Sequence, residues 1–141
     1  MEQLTQFIQN HWALCAAFGA TLVVLLVIEI KNKATGVPKI LPQNAILLLN
    51  RENAVIIDLR EQKKFTHGHI LGATNIASTN LPAHMKKLER YKNNTLILVD
   101  DSGINSASIG TKLQQQGFTK VHILAGGIQA WKNAHLPLTK N

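Results

Sequence analysis

Two adjacent carboxylates, Asp100 and Asp101, open the segment DDSGINSAS at residues 100–108. Ahead of them TLILV is an apolar, β-branched run, and behind them SASIGTKLQQQGF carries helical spacing with Gly117 placed as its C-cap. Strand, tight polar loop and helix together aim backbone N–H groups at an anion. Here the loop brings negative charge of its own. The Asp100 carboxylate either turns inward onto the amides of the loop formed with Asp101, Ser102, Gly103, Ile104, Asn105 and Ser106, or faces solvent and caps the next helix. Turned inward, it accepts hydrogen bonds from several of those N–H donors. Asp101 adds a second charge that repels small anions.

Other chemistries need partners that the sequence does not bring. Ser102 and Ser106 lack the Gly-x-Ser-x-Gly frame of a strand–nucleophile–helix elbow. Ser106 reads instead as the start of its helix. Asp58, at the end of another apolar run, could join Asp100 and Asp101 around magnesium as in a receiver domain, but the rest of that pattern is missing. His67 and His69 stand two apart, and a structural role fits them better than a ligand pair; His84, His122 and His135 are scattered. No metal and no cofactor is expected.

The elements that position the loop follow from periodicity. AVIIDL (54–59), ATNI (73–76), TLILV (95–99) and KVHIL (120–124) read as strands, alternating with helical patterns in QNAILLLN, EQKKFTHG, LPAHMKKLERY and GGIQAWKNA. Such βα alternation builds a mostly parallel sheet with helices on both faces, whose sites lie at the carboxyl ends of the strands. Asp58 and Asp100 both fall there.

Residues 12–28 contain no charge, and at about 1.5 Å per residue this is roughly 25 Å of helix, near the lower limit for a bilayer core. Leu4, Phe7 and Ile8 extend the apolar face towards the amino end, and Trp12 stands where an interfacial aromatic belongs. A cleaved signal peptide would need a positive start, yet residues 1–11 hold no Lys or Arg. The reading is residues 1–30 with a single transmembrane helix over about 12–30, a linker at 31–39 containing Gly36 and Pro38, and a domain from 40 to 141. All fifteen Lys and Arg lie at or beyond Lys31, against six acids there, so the positive-inside rule puts the amino terminus outside and the domain in the cytoplasm. Ala13 with Ala17, and Ala16 with Ala20, would let two spans approach as a homodimer. The single cysteine, Cys15, excludes an intramolecular disulfide and lies in the apolar run.

A basic domain favours anionic partners. Lys63, Lys64, Lys86, Lys87, Arg90 and Lys92 have few aromatics between them, so a nucleic-acid stacking platform is not expected. Docking on an anionic lipid surface fits a tethered domain better.

Asp58-Leu59-Arg60, Phe65, Gly68-His69-Ile70, Gly72-Ala73 and Asn75-Ile76, followed by Gly117-Phe118, Val121, Leu124, Gly126-Gly127, Trp131 and Leu136-Pro137, together resemble the two signatures of the rhodanese-like family. The arrangement of one span and one such domain is similar to single-pass rhodanese-like proteins of the bacterial inner membrane. The resemblance implies an α/β fold: a five-stranded parallel sheet flanked by helices on both faces, with an active loop after the fourth strand. In active members a cysteine opens that loop and carries sulfane sulfur as a persulfide. It further implies that Asp58, Arg60, Gly68, His69, Gly126, Gly127 and Trp131 are structural motif residues. The cysteine position is Asp100 here, and two positions that are often arginine are Asp101 and Asn105. A phosphatase family sharing the fold also needs a cysteine and an arginine in this loop. The expectation is therefore a membrane-anchored module without a catalytic residue, binding a protein partner at the inner membrane. The alternative is a weak or partner-assisted sulfurtransferase.

Overall fold

The computed structural model describes residues 1–140, with the side chains of residues 32–35 left aside. It divides into two compact units, Met1–Gly36 and Val37–Asn141.

The first unit is helical. Helix α1 spans Glu2–Asn10 and α2 spans Trp12–Thr35, with a break at His11 (φ −127°, ψ 33°). The apolar face of Leu4, Phe7 and Ile8 therefore belongs to a separate helix and does not lengthen the apolar run. Within α2, Trp12–Lys31 is a 20-residue stretch of mean hydropathy 2.5, long and apolar enough to cross a membrane. The helix continues to Thr35, although the sequence reading ends it at residue 30 and starts a linker. The physical reason is simple. Residues 31–35 carry no apolar spacing by which periodicity could mark them as helical, yet the chain stays helical until Gly36.

The second unit begins with Val37, which is buried, and not at residue 40. Its elements are β1 (Lys39–Ile40), α3 (Pro42–Glu52), β2 (Val55–Asp58), α4 (Gln62–His67), β3 (Thr74–Asn75), a 3₁₀ turn (Ser78–Asn80), α5 (Leu81–Glu89), β4 (Leu96–Val99), α6 (Ser106–Gln115), β5 (Val121–Leu124) and α7 (Gly127–Asn133). The strands form one parallel sheet in the order β1-β5-β4-β2-β3. Periodicity alone finds four of them. The fifth, β1, is two residues long and lies between Pro38 and Pro42, in a stretch whose Gly36 and prolines read as a linker.

Both faces of the sheet are covered, which explains why the central strands read as unbroken apolar runs. Ile57, Leu96, Leu98 and Ile123 point to the α5 and α6 side, with Leu88, Leu113 and Phe118. Ile56, Ile97, Val99 and Leu124 point to the other, with Ala45, Ile128 and Trp131. Register places Asp58 beside Val99, so the carboxyl ends of β2 and β4 open onto one edge of the sheet. That edge carries the loop.

Candidate functional site

Asp100 follows β4 directly and is 4 % exposed. One carboxylate oxygen, Oδ1, accepts the backbone N–H of Gly103; the other, Oδ2, accepts those of Asn105 at 2.8 Å and Ser106 at 3.2 Å. The two sequence readings of Asp100 thus merge: it is buried in the loop and it also serves the first amides of α6, where no other side chain caps the helix. The Ser106 hydroxyl has no hydrogen-bond partner among the described residues, so Ser106 starts the helix without capping it. Gly103 reaches the carboxylate with φ +84°, and a β-carbon there would lie 3.0 Å from Gly126 N and 3.1 Å from Leu124 O. Ile104, at the loop tip, is exposed.

The loop is gripped from below by α7. Ile128 N–H donates to the Asp100 carbonyl at 2.9 Å and Gln129 N–H to that of Asp101 at 3.4 Å. Gly126 and Gly127 both have positive φ. A β-carbon on Gly127 would collide with the Asp100 carbonyl oxygen and lie 2.7 Å from Ser102 N. Gly127→Ala is therefore expected to cost about 2–4 kcal/mol, combining overpacking with a left-handed backbone. A urea midpoint equal to that of the unsubstituted chain would refute this account of the glycine pair.

A second buried carboxylate has a different use. Asp58 is clamped by Arg60, whose Nη2 lies 2.7 Å from Oδ2 and whose Nε lies 3.0 Å from Oδ1. The same Nη2 also donates to the Gly68 carbonyl at 2.8 Å, tying the end of α4 to β2. Asn75 completes the knot by donating to the carbonyls of Asp58 and Arg60. His69 stacks on Phe65 at 3.8 Å between ring centroids, and its Nδ1 lies 2.9 Å from the Phe65 carbonyl. Trp131 is buried and donates to Pro137 O at 3.1 Å. Asp58 and Asp100 thus end on the same sheet edge with their oxygens occupied by different partners.

Sequence reasoning missed how Asp101 is used. Its carboxylate pairs with Lys64 of α4 at 2.7 Å, both side chains being just over half exposed. The hydrogen bond to Asp101, and then its charge, raise the Lys64 pKa above the ordinary lysine value. In solvent such a pair adds little stability, and that little persists below the ordinary lysine pKa and is lost as pH rises through the raised one. Only the third dimension brings residues 64 and 101 together. On one side of the bridge is the mouth of the loop, a depression of about 160 Å³ bounded by Glu61, Ser78 and Asn105. On the other is a cleft of about 380 Å³ between α4 and α7.

Comparison with known proteins places this geometry. A rhodanese-like domain is recognised over residues 41–134. The chain is 34 % identical to the protein YibN of Escherichia coli K12 over 141 residues, 99 % of each chain. It is 29 % identical to the thiosulfate sulfurtransferase GlpE of Glaesserella parasuis over 101 residues, covering 71 % of this chain and 91 % of that one. The crystal structure of a rhodanese-related protein from Thermoplasma volcanium superposes with a TM-score of 0.67 at 23 % identity, covering 74 % of this chain and 99 % of that one. The match over residues 41–134, together with relatives that include a thiosulfate sulfurtransferase, shows that this chain is a member of the rhodanese-like family.

Proposed function

We propose that this protein is a membrane-anchored rhodanese-like module that binds a protein partner at the cytoplasmic face of the inner membrane and does not transfer sulfur. One observation carries the reading: the amide cradle of the loop is filled by the Asp100 carboxylate. In sulfur transfer by this family, a cysteine thiolate takes the sulfane sulfur of thiosulfate, sulfite leaves, and the persulfide passes its outer sulfur to an acceptor. A carboxylate carries its charge one bond beyond Cγ, in the space the outer sulfur needs, and it cannot form the persulfide. The chain's single thiol, Cys15, sits on α2, away from the loop in sequence and in a different compact unit. The anchor rests on the exposed apolar stretch Trp12–Lys31, and the orientation on the basic residues that begin at Lys31.

The test is thiosulfate:cyanide sulfurtransfer by the full chain in detergent, with Cys15→Ser so that no thiol remains. That protein is expected to be silent, and adding Asp100→Cys is expected to produce thiocyanate above the buffer rate. Turnover by the thiol-free chain would overturn the inactive reading and favour the alternative, a weak sulfurtransferase with another nucleophile.

A further inference from the structure

The cleft between α4 and α7 is not used by anything described above. Its walls carry Arg60, Lys63, Lys64 and His67 on one side and Gln129 and Lys132 on the other, with Ile128 and Asp101 also lining it. The charges there cancel unequally. Arg60 is neutralised by Asp58 and Lys64 by Asp101. Lys63 and Lys132 have no ion-pair partner among the described residues, and both are exposed. Two uncompensated ammonium groups, one from each helix, thus line one open cleft together with Gln129.

We propose that this cleft is the docking site for an acidic peptide segment of a partner protein. The inference rests on the binding-module reading and gives the partner its chemistry. Charge complementarity chooses the occupant: a side-chain carboxylate entering between Lys63 and Lys132 pairs with both, while Gln129 can meet the peptide backbone. Lys86, Lys87, Arg90 and Lys92, which a lipid surface would also attract, line neither this cleft nor the mouth of the loop. The Asp101–Lys64 bridge forms the boundary with that mouth, so a second carboxylate can replace Asp101 on Lys64 and join the two spaces.

The experiment uses the full chain in neutral phosphatidylcholine nanodiscs and a fluorescein-labelled peptide of six glutamates, read by anisotropy at low salt. Lys63→Glu with Lys132→Glu is expected to weaken binding by about tenfold or more, and Lys86→Glu with Lys87→Glu, an equal change in net charge, by less than about twofold. All four side chains are exposed, and circular dichroism checks that both proteins remain folded. Equal weakening by both pairs would mean attraction to overall charge alone and would overturn the proposal, as would absence of binding by the unsubstituted chain. Binding to vesicles containing phosphatidylglycerol that depends on Lys63 and Lys132, without peptide binding, would make the cleft a lipid contact and would equally overturn it. These outcomes are separate from the sulfurtransfer result: a thiol-free chain that is silent but ignores the peptide loses only this inference, and one that turns over loses the module reading first.

Discussion

Asp100→Ala is expected to destabilise the five-stranded unit by about 2–4 kcal/mol, since it strips the acceptor from two buried backbone donors and one part-buried one at once. The amides of Gly103, Asn105 and Ser106 all converge on that one carboxylate. Neither small size nor apolar character in the replacement helps, because each N–H still needs an acceptor in a place where the side chain was only 4 % exposed. Asp100→Asn keeps the shape but turns an amide nitrogen towards N–H donors, so it should recover only part of the loss. The measurement is urea unfolding followed by Trp131 fluorescence in a Trp12→Phe background, which leaves one reporter inside the domain. If Asp100→Ala unfolds at the same urea concentration as its parent, the carboxylate does not hold the loop, and the reading of the site as self-occupied fails with it.

The Asp58–Arg60 pair should be equally sensitive, for a different reason. Both side chains are almost wholly buried, 1 % and 4 % exposed, and the guanidinium serves two tasks, the carboxylate and the Gly68 carbonyl. Arg60→Met leaves Asp58 with the Arg60-position backbone N–H at 3.0 Å and no counter-charge, a change expected to cost about 3–5 kcal/mol. Asp58→Leu with Arg60→Met removes both charges and should cost less than the two single changes added together. A double-mutant cycle on urea midpoints reads this directly. Additive losses would mean that the pair contributes geometry without mutual stabilisation.

Much of this was legible before any coordinates. Strands β2, β4 and β5 announce themselves because both faces of the sheet are buried, which leaves an apolar run with no polar interruption. The loop was locatable because strand, glycine-bearing turn and helix follow within a few residues. The choice between an inward and an outward Asp100 was not, since it depends on the positive φ of Gly103 and on α7 pressing from beneath. The end of α2 lies beyond the sequence reading because residues 31–35 carry no apolar spacing to mark them as helical. The α4–α7 cleft was invisible for the opposite reason. Lys63 and Lys132 are unremarkable in their own neighbourhoods, and only the folded chain brings them to the lining of one cleft.

The carboxylate in the cradle has a consequence for chemical durability. A thiolate held by helix-end amides is the side chain most open to peroxide, and its successive oxidised forms would change both the charge and the size of the loop. Asp100 has no such series of forms, and no thiol occurs beyond residue 15. The loop that presents Asp101 and Ile104 is therefore built on a residue indifferent to oxidants. Where a cysteine in this position would give a different loop under peroxide stress, this one keeps the same face.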